Sequence, residues 1–301
     1  MNAPAAGLGG RTAIQAAVQN EDKILVQELV SRGADVNGLP AREGGATALD
    51  LALENNDLQT VIFLLEHGAT VNAAAFRIIP HRAMQNDYTT LAQELLSKSA
   101  DGTLKRAALH TAVKNDDIAL IQDLLSRGAD VEGLPAENGG KTALQLAIER
   151  NSIPIARLLI ERGANVNADA AQMFGRTPLQ GAVEQQDMSL VRELILRGAD
   201  VNGPPAAEAG ATALQLAAMK GNLPIAALLL EHGGDVNAAA ALSDGRTALE
   251  GAAEQGRLDM VHLLLANDKN DATLKDRCQA AAEFAGNEGH ERIAKTLKAW
   301  R

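Results

Sequence analysis

A short element that recurs along the chain constrains its fold more strongly than any other feature of the sequence. Each copy has a glycine, one variable residue and a threonine, followed by a short segment rich in alanine and leucine. Four of these threonines, Thr142, Thr177, Thr212 and Thr247, follow one another at intervals of 35 residues. A fixed period of this size predicts stacked supersecondary units, because one unit alone cannot bury its apolar face.

Within each copy the residue pattern predicts two helices joined by a short turn. Threonine is a good N-cap, since its hydroxyl accepts a hydrogen bond from an otherwise unpaired backbone N–H. The first helix is expected to end near Asn20 and its equivalents, and the second carries apolar residues at helical spacing. Glycine should then end the second helix, because it adopts a left-handed backbone conformation without strain. The residues at this position are Gly33, Gly68, Gly128, Gly163, Gly198 and Gly233, with Ser99 and Asn267 replacing glycine in two further copies.

Two degenerate copies fill the interval between Thr47 and Thr142, and a weaker copy follows Cys278. In the two degenerate copies, Ile78 and Ala107 replace the threonine. The spacing shortens to 31 residues from Thr47 to Ile78 and to 29 residues from Ile78 to Ala107. The sequence therefore predicts a single all-α domain, a helix-pair solenoid of nine stacked repeats. Within residues 1–301 these repeats, numbered 1 to 9 in chain order, lie near residues 10–38, 45–73, 77–101, 106–133, 140–168, 175–203, 210–238, 245–269 and 278–301.

Two short motifs relate these repeats to a known family. The element Thr177-Pro-Leu-Gln180 and the closing Gly198-Ala-Asp-Val-Asn202 resemble the ankyrin repeat, and the resemblance covers nearly the whole chain. It implies that the first helices and the loops before them, called fingers, line a concave groove, while the second helices form the convex back. Most repeats here are two residues longer than the usual ankyrin period, so longer fingers are expected.

The charge balance and the cysteine content narrow the possible partners. The chain has 28 basic and 38 acidic side chains and a net charge of −10, which disfavours binding along a phosphate backbone. Cys278 is the only cysteine, so no internal disulfide can form and a reducing setting is expected, with this residue acting as a small buried apolar group. No apolar run approaches the length of a membrane span. We therefore predict a cytoplasmic monomer with no nucleic-acid or membrane partner.

The sequence contains no motif that would indicate a cofactor or a metal. Gly139-Gly-Lys-Thr142 is similar to the end of a phosphate-binding loop, but Pro135 stands where the full pattern needs glycine. The six histidines lie in different repeats and have no metal-ligand spacing. His81 and His110 occupy a position that holds glutamine in other repeats. The ankyrin resemblance implies that a histidine there is hydrogen-bonded locally and braces the finger.

Two rows of charged side chains should face the groove. Basic residues stand just before the first helices, and glutamates stand near the ends of those helices. The candidate binding residues are Arg77, His81, Arg82, Arg106, His110, Lys141, Arg176, Glu54, Glu149 and Glu184. We predict that the shortened connections bring Arg77, Arg82 and Arg106 together, where they would bind an acidic group of a partner. Two alternative interpretations remain. The charged rows could be ordinary solvated residues of the repeat, and the irregular centre could be a decayed repeat without a function.

The sequence favours a non-catalytic scaffold or adaptor that binds a protein or peptide in its groove. Stacked repeats form an extended concave surface that suits a protein or peptide partner. In this sequence no part of that surface concentrates reactive groups. One alternative is a small-molecule or enzymatic site at the irregular centre, where Arg77, His81, Arg82, Arg106 and His110 could include an acid–base pair. A second alternative is a designed or excised array. An open groove would favour the scaffold, and a deep central pocket would favour the small-molecule or enzymatic site.

Overall fold

The chain is helical in every regular element that the structure describes, which confirms the all-α class. This structure is a computed structural model, and it divides into two compact units, Met1–Gly133 and Leu134–Arg301. It describes residues 10–39, 46–55, 57–70, 102–132, 140–170, 175–206, 210–241, 245–269 and 271–300. That the nine repeats form one continuous domain stays a prediction.

The described part of the first unit consists of three helix pairs. In each pair the two helices pack against each other, and the first helices of repeats 1 and 2 also pack side by side. The six helices are α1 (Ala13–Gln19), α2 (Lys23–Ser31), α3 (Ala48–Glu54), α4 (Leu58–Glu66), α5 (Gly102–Lys114) and α6 (Ile118–Ser126).

The second unit consists of five helix pairs and a short 3₁₀ turn at Asp271–Thr273. Its first helices pack against one another in chain order, which is the stacking that the repeat period predicts. The ten helices are α7 (Ala143–Glu149), α8 (Ile153–Glu161), α9 (Pro178–Glu184), α10 (Met188–Leu196), α11 (Ala213–Lys220), α12 (Leu223–Glu231), α13 (Ala248–Glu254), α14 (Leu258–Asn267), α15 (Leu274–Asn287) and α16 (Glu291–Ala299).

Each recurring threonine begins a first helix, as predicted. In repeat 6 the backbone N–H of Gln180 donates to Thr177 Oγ1 at 3.3 Å, and the Thr177 N–H donates to Gln180 Oε1 at 3.0 Å. This reciprocal capping box satisfies two backbone donors that the helix itself leaves unpaired. The same arrangement occurs at Thr12, Thr47, Thr142, Thr212 and Thr247.

The predicted glycines end the second helices, but Asn267 does not replace them. Gly33 and Gly163, for example, have φ angles of +83° and +90°, a left-handed conformation that favours glycine. Asn267 instead remains the last residue of its helix, and its side-chain amide donates to the carbonyl of Leu263 at 2.9 Å. The chain then leaves the helix through Asp268 in an extended conformation. The corresponding Ser99 lies outside the described residues.

The expectation that Arg106 precedes a first helix is wrong. Helix α5 begins at Gly102, so Arg106 lies within it. Ala107 offers no capping side chain, and the residues from Thr103 onward include leucine, lysine and arginine, which favour helix, with no proline or glycine to interrupt them. The helix therefore starts at Gly102, nearly two turns before Ala108, where the repeat register places the first helical residue. The first helix of repeat 9 likewise begins at Leu274, before the predicted start at Cys278.

Asparagine side chains connect neighbouring repeats at the ends of their second helices. Asn202 Nδ2 donates to the carbonyl of Gly233 at 2.9 Å, and Asn202 Oδ1 accepts from the N–H of Asp235 at 2.8 Å. Asn37 and Asn167 make equivalent bonds to the repeats that follow them. These bonds fix the spacing of the repeats at the base of the fingers.

Candidate functional site

The predicted basic and acidic rows meet as ion pairs along the first helices of repeats 5, 6 and 8. In each pair the basic residue stands just before the capping threonine and the glutamate ends the seven-residue helix. Such a helix is about 10 Å long, so the long basic side chain lies along it to reach the carboxylate. The pairs, with nitrogen–oxygen distances of 2.5, 3.2 and 3.1 Å, are Lys141–Glu149, Arg176–Glu184 and Arg246–Glu254.

These ion pairs remain accessible to solvent. The side chains of Arg176 and Glu184 are 21% and 39% exposed, and those of Lys141 and Glu149 are 40% and 52% exposed. Exposed ion pairs typically contribute less than about 1 kcal/mol to stability, because water and salt screen them. A partner can therefore exchange its own charged groups for one member of a pair at little energetic cost.

A pocket lies between the ion pairs of repeats 5 and 6. Its empty volume is about 430 Å³ when the space open to solvent is included. Lys141, Glu149, Arg176 and Glu184 belong to its lining, together with glutamines and with an apolar part formed by Ile148, Pro178 and Gly181. Charged, polar and apolar groups therefore line the pocket together.

Glutamine side chains hold the fingers in place beside this pocket. Gln145 Nε2 donates to the carbonyls of Asp169 at 2.7 Å and Arg176 at 3.0 Å. Gln180 Nε2 donates to the carbonyls of Gly203 at 2.9 Å and of the next residue, Pro204. Each glutamine thus joins the start of its helix to the finger that follows. The ankyrin resemblance implies this bracing role for a histidine at the same position, and in repeats 5 and 6 glutamine performs it.

The other predicted site residues that the structure describes, Glu54, Arg106 and His110, belong to the first unit. His110 is 7% exposed, and its Nδ1 lies 3.1 Å from the Arg106 carbonyl one turn earlier on the same helix. Glu54 ends α3 in the first unit, where Ala46 stands in place of the basic residue. Arg77, His81 and Arg82 lie outside the described residues, so the predicted central cluster stays a prediction.

A tightly bonded carboxylate lies between repeats 1 and 2 in the first unit. Asp57 caps α4, accepts a hydrogen bond from the Thr60 hydroxyl at 2.7 Å and lies 2.9 Å from Lys23 Nζ. Burial raises the pKa of Asp57, but the hydrogen bonds from Thr60 and Lys23 outweigh burial and leave this pKa below its usual value. The carboxylate is therefore held in its charged form.

Cys278 is a buried thiol, as the sequence predicts. Burial raises its pKa, and the nearby Asp268 acts in the same direction against the opposing effect of Arg277. Such a group stays protonated at neutral pH and is a poor nucleophile. Among the described residues there is also no cluster of three histidine, cysteine or acidic side chains that could hold a metal ion.

One cation contact near the C-terminal end was not predicted. The guanidinium carbon of Arg246 lies 4.5 Å from the centre of the Phe284 ring, while the same guanidinium pairs with Glu254. The sequence alone does not indicate this contact, because Arg246 and Phe284 belong to different repeats and meet only through stacking. Aromatic stacking and the ion pair together hold this arginine in one orientation.

Comparison with known proteins supports the repeat assignment. The family model described as ankyrin repeats (3 copies) matches residues 2–75, 80–170, 109–204 and 179–276. No curated protein matches the chain. In the part of the chain that the structure describes, no helix has the length and apolar character needed to cross a membrane.

Proposed function

Because this chain belongs to the ankyrin-repeat family, whose members are generally protein–protein interaction modules, we propose that it is a non-catalytic scaffold or adaptor. It binds a protein or peptide on its fingers and first helices. The observation that carries the proposal is the pocket of repeats 5 and 6, which is lined by apolar groups and by two accessible ion pairs.

The polarity of the rim supplies selectivity for the partner. Lys141 and Arg176 stand on the finger side, and Glu149 and Glu184 stand at the opposite ends of the helices. Because the basic side chains lie along the helices and contact these carboxylates, a partner meets a positive and a negative group side by side at each pair. Electrostatic complementarity of this kind governs partner choice and the rate of association more than total affinity.

The remaining features of the proposal follow from the sequence. We place the protein in the cytoplasm as a monomer that needs no cofactor and binds neither nucleic acid nor membranes. The negative net charge and the single buried cysteine support this assignment.

The proposal is tested by capturing partners with the intact chain from the cells that make it and measuring their affinity with purified components. Arg176→Glu and Glu184→Arg each place like charges together, so each should weaken binding at least tenfold. The double exchange Arg176→Glu/Glu184→Arg restores an ion pair of reversed polarity and serves as the control for folding. It should bind as weakly as the single variants. A partner that binds all three folded variants like the unmodified chain would show that this face is not the binding site.

A further inference from the structure

The three ion pairs along the first helices differ in how far the glutamate side chain is open to solvent. The exposed fraction is 52% for Glu149 in repeat 5, 39% for Glu184 in repeat 6 and 21% for Glu254 in repeat 8. A partner reaches an exposed carboxylate without first displacing the groups that cover it. Repeat 5 therefore offers the most accessible glutamate of the three.

The pair of repeat 8 is held by several contacts at once. Arg246 donates to the two carboxylate oxygens of Glu254 at 3.2 and 3.1 Å and to the carbonyl of Gly245 at 3.0 Å. Its guanidinium carbon also lies 4.5 Å from the centre of the Phe284 ring. Two parallel charge-assisted bonds are stronger than one, so a charged group of a partner has to break several contacts to open this pair.

The pair of repeat 5 is easier to open. The ammonium nitrogen of Lys141 lies 2.5 Å from Glu149 Oε1, and the two side chains are 40% and 52% exposed. Lysine is a compact, strongly hydrated charge on a flexible stem, so it returns to water readily when another cation takes its place. The exchange costs little, because an exposed pair contributes little to stability.

Glu149, rather than Lys141, is the member of this pair that suits a partner. Glu149 is the last residue of α7, where the partial negative charge of the helix end favours a neighbouring cation. A partner cation that replaces Lys141 leaves the carboxylate paired, whereas a partner carboxylate bound to Lys141 leaves Glu149 as an unpaired negative charge at the helix end. The net charge of −10 also attracts basic segments to the chain.

From these observations we infer that Glu149 binds a lysine or arginine side chain of the partner protein, which displaces Lys141. The inference rests on the proposed function and names the chemistry of one contact in it. The partner thus contributes a positive charge at the end of α7 in repeat 5, and the Arg246–Glu254 pair of repeat 8 stays closed.

A phage library of random 12-residue peptides, panned on the intact chain, provides the probe. Glu149→Gln removes the negative charge and keeps the shape of the side chain. Lys141→Met keeps the stem and removes the competing cation, and Arg150→Gln removes an exposed positive charge that follows Glu149 in the chain. Glu254→Gln is the matched control at the closed pair. Far-ultraviolet circular dichroism confirms that each variant is folded before binding is measured.

Peptides retained by the unmodified chain should share one lysine or arginine. Glu149→Gln should weaken their binding about threefold or more, Lys141→Met and Arg150→Gln should strengthen it, and Glu254→Gln should leave it unchanged. Replacing the shared basic residue of the peptide with norleucine should weaken binding by a similar factor. Glu149→Gln should then have no further effect, because the two changes remove the same contact.

Weaker binding with Lys141→Met, or unchanged binding with Glu149→Gln, would overturn the inference. Retained peptides without a shared basic residue would do the same, and so would an equal loss with Glu254→Gln. If Arg176→Glu and Glu184→Arg still weaken the binding of such peptides, the proposed function stands without the inference. If the unmodified chain retains no peptide, both fall.

Discussion

Replacing Gln186 with glycine should raise the free energy of unfolding of the second unit. Gln186 joins the two helices of repeat 6 with a φ of +60°, and Asn151 adopts the same left-handed conformation in repeat 5 with a φ of +58°. The next two repeats have glycine at the equivalent positions, Gly221 with φ +71° and Gly256 with φ +73°. A side chain in this conformation is destabilised by roughly 1–2 kcal/mol through contact between its Cβ and the following carbonyl.

The expected gain is smaller than that strain, because glycine has more backbone freedom to lose on folding. This loss amounts to about 0.5–1 kcal/mol, so the net stabilisation by Gln186→Gly should be about 0.5–1 kcal/mol. The side chain of Gln186 offsets little of it, since its Oε1 lies 3.5 Å from Asn222 Nδ2 at an exposed position. Gly221→Gln should be destabilising by more than this gain, because a Cβ there would also lie 2.8 Å from Arg257 Cδ.

Equilibrium unfolding in urea, followed by circular dichroism, measures this difference as a shift of the midpoint at constant slope. Gln255→Gly is the matched control, because Gln255 has a φ of −86° and gains nothing from glycine. This control should be destabilised by about 0.5–1 kcal/mol. A neutral or destabilising effect of Gln186→Gly in a folded protein would refute the reasoning from backbone strain.

Three further predictions concern the bonds that position the fingers and the repeats. Gln180→Ala removes both the capping bond and the finger brace, so stability should fall by about 1–3 kcal/mol and amide exchange at Gly203 should accelerate; unchanged exchange there would contradict the bracing role. Asn202→Ala leaves backbone groups of repeat 7 without their partner and should lower the urea midpoint, whereas an unchanged midpoint would show that the repeats hold their spacing without it. In the folded chain the hydrogen bonds of Asp57 lower its pKa below the unfolded value of about 4. The charged carboxylate therefore stabilises the fold above that unfolded pKa, and this stabilisation is lost as the pH falls through the lower folded pKa. The stability difference between the unmodified chain and Asp57→Asn should therefore shrink in acid, and a constant difference down to about pH 2 would contradict it.

The helices were predictable wherever local chemistry determines their ends. Thr177 and its equivalents cap the first helices, and Gly198 and its equivalents end the second, because each signal acts within one or two turns of its own residue. Helix α5 was not placed correctly because it lacks such a signal, and its start depends on the helix propensity of several residues together. Asn267 failed as a glycine substitute because a bond to Leu263 keeps it helical.

The candidate site was only partly predictable. The eight-residue spacing of Arg176 and Glu184 was available in the sequence, and it is the spacing at which a long side chain reaches the far end of a seven-residue helix. The pocket was not predictable, because it depends on which way Glu149 turns and on the stacking of Ile148 against Gly181. Both features depend on the contact between repeats 5 and 6, and the sequence of a single repeat does not show that contact.

Hydrogen exchange of the intact chain with and without its captured partner tests most directly which face binds. Bound partner should slow amide exchange in residues 143–149 and 178–184, the first helices that line the pocket, and in the finger residues before them. Exchange in the second helices, residues 153–161 and 188–196, should change much less. Protection confined to those second helices, with none in the first helices, would contradict the account.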